Sequence, residues 1–130
     1  MPLNSNNKPA RFCWVDLAAA NPGEATAFYR DMFGWQTQRK PANGGEFHHF
    51  MADGEPVASL YQLDPQQIAG GVPSHWTPYI AVANVDDSAA NAAALGGRVV
   101  VKPFNVDGIA RVSLITDSGG ALVGLWELAR

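Results

Sequence analysis

Phe12-Cys13-Trp14-Val15-Asp16-Leu17 opens a pattern that the chain repeats about 65 residues later, beginning at Tyr79-Ile80-Ala81-Val82. The first copy continues through a helix pattern ending at Phe33-Gly34, an Asp53-Gly54 turn, and Ala58-Ser59-Leu60-Tyr61. The second continues through a helix pattern ending at Leu95-Gly96-Gly97, a turn from Asp117 to Gly120, and Val123-Gly124-Leu125-Trp126. Trp14 to Tyr79 and Ser59 to Gly124 are each 65 residues apart, and Asp53 to Asp117 is 64. Each copy reads as a strand, a helix and three strands. The expected fold is α+β: two βαβββ modules in tandem, forming paired curved mixed sheets around a cleft, with the helices outside. The cleft is the natural place for function.

The local signals support this division. Residues 12–17 alternate around β-branched and aromatic side chains, as a strand does. Asn21 suits an N-cap, Pro22 the first helical position and Glu24 the capping-box position. Ala25, Phe28, Tyr29, Met32 and Phe33 then form one apolar stripe, and Gly34 ends the helix from the left-handed C′ position. A short strand is expected over residues 35–39, then a flexible loop from Pro41 to Gly45. Residues 46–51 and 56–63 read as a hairpin across Ala52-Asp53-Gly54-Glu55. Residues 64–75, with two prolines and a Gly-Gly, read as a connector. Residues 76–83 are the next strand, and Asp86 or Asp87 caps an alanine-rich helix that Gly96-Gly97 ends. Strands at 98–102, 110–116 and 122–128, with turns at 105–108 and 117–120, complete the chain. The expected organisation is a loose tail over residues 1–10, then a single domain over 11–130. Module one covers about 11–64, the connector 65–75 and module two 76–130.

Composition narrows the function. At 130 residues, one domain can bury about two thirds of its unfolded surface. Apolar content of 47% and charged content of 16% belong to a globular protein. With a net charge of −3, no basic field recruits nucleic acid or an anionic membrane. No apolar run approaches the ~18 residues of a membrane span, and no signal-peptide pattern opens the chain. A cytoplasmic location is the default expectation. The single cysteine, Cys13, excludes an internal disulfide and a cysteine-cluster metal site.

Strand alternation assigns faces. Cys13, Val15 and Leu17, Ile80 with Val82, Val123 with Leu125, and Ala58 with Leu60 should pack under the helices. The cleft face then carries Phe12, Trp14, Asp16, Val57, Ser59, Tyr61, Tyr79, Ala81, Leu122, Gly124 and Trp126, an aromatic-rich surface with little charge.

The paired architecture, Phe28-Tyr29…Phe33-Gly34-Trp35, Ala94-Leu95-Gly96-Gly97 and Asp117-Ser118-Gly119-Gly120…Gly124-Leu125-Trp126 together resemble the vicinal oxygen chelate superfamily. That superfamily includes glyoxalases, extradiol dioxygenases and bleomycin-resistance proteins, and the resemblance covers roughly residues 11–128. It implies paired βαβββ modules, usually dimeric, with a cavity cupped by the sheets. Metal-dependent members hold a divalent ion on four inward strand positions, generally His, Glu or Gln. The resemblance places those positions at Trp14, Ser59, Tyr79 and Gly124. None supplies an imidazole or carboxylate, whereas a catalytic metal needs about three such protein ligands. The resemblance therefore implies no metal and no cofactor here.

The remaining candidates are weighed by residue. Asp16 is the ionisable residue on the cleft face of the first strand, placed to act as a base or to anchor a ligand amine or hydroxyl; the alternative is a salt bridge to Arg111. His48 and His49 are adjacent and point to opposite faces, so they cannot chelate one ion together. Sequence leaves open which of them faces the cleft, and His48 is carried as the candidate ligand contact. His75 is expected in the connector. Trp14, Tyr61, Tyr79 and Trp126 offer either core filling or a stacking wall for a planar ligand. Cys13 is expected to be inertly buried, and Glu127 to be a structural charge.

These readings point first to a metal-free, small-molecule-binding protein of sequestration or resistance type. It would hold a largely apolar or aromatic molecule against Trp14, Asp16, His48, Ser59, Tyr61, Tyr79 and Trp126, as a homodimer with no nucleic-acid or membrane partner. The alternative is a metal-independent lyase, isomerase or cyclase in which Asp16 or a histidine moves the proton. A third reading is a divalent-metal lyase or dioxygenase with atypical ligands such as Asp16, His48 and His75.

Overall fold

The computed structural model describes residues 8–42, 45–106 and 109–128. The element order is β1 (Phe12–Ala19), α1 (Pro22–Phe33), β2 (Gln36–Ala42), β3 (Gly45–Ala52), β4 (Glu55–Gln62), α2 (Pro65–Ala69), β5 (His75–Val82), α3 (Val85–Ala94), β6 (Arg98–Val106), β7 (Ala110–Thr116) and β8 (Leu122–Glu127). The tail expected over residues 1–10, the loop at Asn43-Gly44 and the turn at Asp107-Gly108 lie wholly or largely outside the described residues. Apart from the short helix α2, the order is the expected βαβββ pattern made twice.

The chain forms two compact units. The first comprises Val15–Trp76; the second comprises Thr77–Arg130 with the N-terminal residues up to Trp14. In the first unit the strands lie in the order β2-β3-β4-β1. β2/β3 and β3/β4 pair antiparallel, and β4/β1 pair parallel. The second unit repeats this as β6-β7-β8-β5, with the β8/β5 pair parallel. In both, the helix crossover lets the first strand return to lie parallel beside the fourth, which a tight turn cannot do. Just ahead of β1, Ala10 N–H donates to the Ala81 carbonyl and Ala81 N–H donates to the Arg11 carbonyl, each at 2.8 Å.

Two asparagines start the long helices. Asn21 Oδ1 accepts from Glu24 N–H at 3.1 Å, with Pro22 at the first position. Gly34 ends α1 at φ 73°, and its N–H donates to the Arg30 carbonyl. In α3 the cap is Asn84, whose Oδ1 accepts from Asp87 N–H at 3.0 Å; it is neither Asp86 nor Asp87. Asn84 has the extended backbone that an N-cap needs, while the two aspartates occupy the first turn, where their charge suits the positive helix end. Glu127 Oε1 accepts from Val85 N–H at 2.9 Å and satisfies another unpaired donor of α3.

The expected connector contains α2, capped by Asp64 and opened by Pro65. Pro65 there starts a helix in place of interrupting one. β6 runs beyond its expected end through Pro103, and the β6/β7 register shifts on both sides of Val101. A proline is tolerated at such irregular ladder positions because no regular donor is demanded of it. The hairpin turn is as expected: Asp53 and Gly54 both take positive φ, 52° and 79°, matching a two-residue turn whose twist suits the flanking strands.

Helices cover one face of each sheet. In the first unit, Ala25 and Tyr29 of α1 pack with Leu17, Ala19, Phe50, Ala58 and Leu60. In the second, Val85 and Ala89 of α3 pack with Leu125, Val82, Val99 and Ile115. The apolar stripe of α1 is only partly used. Phe28, Met32 and Phe33 are 56%, 58% and 58% exposed, because the line of contact with the sheet runs through Ala25 and Tyr29. Phe28 meets the Tyr29 ring edge-on at 5.1 Å, beside that contact line.

Replacing Asn21 by Ala should lower stability by about 1 kcal/mol through loss of the cap. Urea unfolding should show the midpoint falling with an unchanged slope.

Candidate functional site

The strand registers set equivalent rows in the two units. In the first unit, Gln38 of β2 lies opposite His49, His49 opposite Ser59, and Ser59 beside Asp16 of β1. In the second, Val101 lies opposite Leu114, Leu114 opposite Gly124, and Gly124 beside Tyr79 of β5. Partners in register present side chains on the same sheet face. These are corresponding rows, since both N-caps and both parallel registers agree. Asn21 to Asn84 is 63 residues, as is Asp16 to Tyr79, while Ser59 to Gly124 is 65. Module two carries its two extra residues between the cap and the fourth strand. The offset of 65 that sequence suggests for the first strands is thus corrected to 63, which makes Thr77 the counterpart of Trp14.

The first row is polar. Ser59 Oγ donates to Asp16 Oδ1 at 2.8 Å, with the two residues 8% and 9% exposed. Ser59 fixes the orientation of a carboxylate that is otherwise costly to bury. Tyr61, two residues beyond Ser59 on the same strand face, has its hydroxyl pushed up to about 12, first by burial and then by the Asp16 charge. The Tyr61 phenol therefore stays a donor throughout the neutral range. His49 is half-buried, and burial, followed by the Lys40 charge, pushes its imidazole below the usual histidine range. Its ring meets Phe47 at 5.4 Å. Gln38, at the end of the row, is exposed.

His48 is therefore corrected. It pairs with Leu60, which is buried in the cluster under α1, so His48 shares the helix-side face and His49 shares the face of Ser59. A one-residue step in a strand reverses the face, and sequence alone does not set the register that decides between neighbours. His75 begins β5 and is not in a loop; its Nδ1 lies 2.9 Å from the Pro73 carbonyl. Arg111 forks onto Asp86, Nε to Oδ2 and Nη2 to Oδ1 both at 2.9 Å, and that guanidinium holds the Asp86 carboxyl below its usual range.

The second row is apolar and aromatic. Trp14 and Tyr79 are 4% and 6% exposed and cluster with Cys13, Ala81 and Val112, with half-buried Trp126 packed against them. The Trp126 ring lies 6.2 Å from Trp14 and 6.0 Å from Tyr79, the latter edge-on. A methyl group at Gly124 would land inside the Tyr79 ring. Glycine at that position is what lets the ring lie against the strand. Thr77 is buried, and its Oγ1 has no hydrogen-bond partner among the described residues. Cys13 belongs to this cluster, and burial raises its thiol to about 11, leaving it unreactive at neutral pH.

The first row offers Asp16, Ser59, His49 and Gln38, and the second Tyr79, Gly124, Leu114 and Val101, while Trp14 lies in neither. Among the described residues no group of three His, Cys, Asp or Glu side chains gathers to hold an ion, so Asp16, His48 and His75 do not form the atypical set considered from sequence.

Sequence reasoning missed the equivalence of Thr77 with Trp14, and it left the choice between His48 and His49 open while carrying His48, which lies on the helix-side face. The matching N-cap asparagines would have exposed the first, while the second depends on the β3/β4 register.

Gly124→Ala should destabilise the protein by about 1–3 kcal/mol through overpacking against Tyr79. Tyr79→Leu in the same chain should recover part of that loss in thermal unfolding. Because Tyr61 binds its proton more tightly when folded, stability should fall as pH rises from about 10 to about 12. Tyr61→Phe should flatten that alkaline loss in urea titrations across the same range.

Comparison with known proteins agrees with this architecture. The profile of the Glyoxalase/Bleomycin resistance protein/Dioxygenase superfamily matches residues 11–125. "Putative glyoxylase CFP32" of Mycobacterium tuberculosis is 36% identical over 132 residues, covering 100% of this chain and 50% of that protein. "Anthracycline biosynthesis protein DnrV" of Streptomyces peucetius is 29% identical over 130 residues, covering 92% of this chain and 47% of that protein. The chain thus spans about half the length of the curated relatives it matches. Methylmalonyl-CoA epimerase of Streptomyces coelicolor, in a complex with 2-nitronate-propionyl-CoA, has the same fold. Its TM-score is 0.64 at 20% identity, covering 95% of this chain and 100% of that one. The tandem βαβββ modules and the profile match show that the chain belongs to the glyoxalase/bleomycin resistance protein/dioxygenase superfamily.

Proposed function

We propose that the protein binds a small, largely apolar or aromatic organic molecule without a metal ion, in a sequestration or resistance role. The ligand lies on the face of the first unit's sheet that carries Asp16, Ser59 and Tyr61. The observation that carries this reading is the buried Ser59–Asp16 hydrogen bond, which fixes a polar pair on that face. Phe47 and Tyr61 share that face by alternation, so apolar contact surrounds a few fixed polar points, as in most small-molecule sites. DnrV, by its name, takes part in making anthracyclines, which are fused-ring aromatic compounds bearing carbonyl and hydroxyl groups. A ligand of that class would place its rings on the apolar residues and its oxygens toward Tyr61 and Ser59. The half-exposed Phe28, Met32 and Phe33 support pairing of two chains in solution.

Titration with a dihydroxyanthraquinone, followed by amide NMR shifts, tests the reading. Shifts should centre on β1 and β4, and Ser59→Ala should weaken binding about tenfold, the loss of one hydrogen bond. Shifts confined to the exposed face of α1, or no saturable binding, would count against it.

A further inference from the structure

We infer that the outer edge of β2 is a docking site for an extended, acidic segment of another protein, which joins the first unit's sheet as an added strand. β2 is the outermost strand of that unit, and Gln36, Thr37, Gln38 and Arg39 are exposed. It pairs with β3 through seven residues, Gln36–Ala42, without a register shift. A strand that regular carries an equally regular row of donors and acceptors along its other side. The phase of that row follows from the end of the ladder. Ala42 and Gly45 pair with two residues between them, so they exchange both backbone bonds. Bonding alternates from there: Lys40, Gln38 and Gln36 bond to β3, while Thr37 and Arg39 turn their N–H and C=O outward. Pro41 belongs to the outward set, so its missing N–H leaves the β3 ladder intact.

The side chains set the chemistry of the occupant. Arg39 lies opposite His48 on the helix-side face, and Lys40 lies opposite Phe47 on the other, so each face of the strand carries a cation toward its end. Trp35, half-buried just ahead of the strand, packs its ring 5.2 Å from Phe50. An antiparallel strand laid along this edge therefore presents two consecutive carboxylates to Arg39 and Lys40, polar or β-branched residues past Gln38 to Gln36, and an apolar residue beside Trp35. Opposite charges directly across a strand pair attract, and in strand addition the main-chain bonds give affinity while the side chains select. A second copy of this chain does not fit, because its β2 brings another arginine and lysine and no carboxylate. Nor is β6, the outer strand of the second unit, equivalent. Register shifts on both sides of Val101, with Pro103 inside the second, interrupt its edge.

The probe is a capped peptide, Glu-Glu-Val-Thr-Thr-Leu, titrated into the intact protein at low ionic strength and followed by amide NMR. Shifts should centre on β2 and the Trp35 indole. Hydrogen exchange at Thr37 N–H should slow about tenfold at a peptide concentration about ten times Kd, while Gln38 N–H, already bonded to β3, stays unchanged. The peptide Lys-Lys-Val-Thr-Thr-Leu should bind at least about tenfold more weakly, and the double variant Arg39→Glu, Lys40→Glu should invert that preference. Thr37→Pro, with Gln38 protection confirming that the β2/β3 ladder persists, should abolish binding of the acidic peptide. Equal binding of the two peptides would overturn the proposal, as would no saturable binding at millimolar concentration. Shifts centred on Asp16, Ser59 and Tyr61 would also overturn it, by placing the peptide on the small-molecule row. Thr37 N–H protection that rises with protein concentration alone would assign the edge to a second copy and overturn it too.

Discussion

The structure depends on the parallel pairing of the first strand of each module with the fourth: β1 with β4, and β5 with β8. Parallel strands cannot be joined by a tight turn, so each pairing requires a helix crossover, and each helix must cover a sheet face to bury its stripe. The crossover begins at a capped asparagine in both modules and reaches the fourth strand through two antiparallel hairpins. The register of the parallel pair then decides which side chain of the first strand lies beside which of the fourth. Asp16 meets Ser59 in one module, and Tyr79 meets Gly124 in the other.

From that single constraint the modules diverge chemically. The Asp16–Ser59 pair is polar, buried and hydrogen-bonded, and the neighbouring strands extend it with His49 and Gln38. The Tyr79–Gly124 pair is a ring laid over a strand position that has no side chain, extended by Leu114 and Val101. One scaffold thus presents a polar row in one module and an apolar, aromatic row in the other. A buried carboxylate costs free energy unless it is bonded, and Ser59 supplies such a bond to Asp16.

Much of the fold was legible in the sequence because its signals are local. Asn21, Pro22, Glu24 and Gly34 define α1 within one stretch, and Asp53-Gly54 defines a hairpin. The errors arose where a tertiary choice outweighed a local one. Asn84 took the cap from Asp86 and Asp87 because its backbone is extended. Pro65 opened a helix that its neighbours made look like linker. Three of the five residues of the α1 stripe stayed exposed, since periodicity shows an apolar face but not how wide the facing surface is. For the site, Asp16, Ser59 and Tyr61 followed from alternation along single strands. Choosing between His48 and His49 needed the register between strands, which no local pattern encodes.

The central claim is that this member of the superfamily works without a metal at the strand positions where others hold one. The most direct test is elemental analysis of the protein after incubation with zinc, nickel and manganese and removal of the unbound ions. The account predicts sub-stoichiometric metal, unchanged in Asp16→Asn and Ser59→Ala. One equivalent per chain in the wild type, lost in either variant, would contradict it.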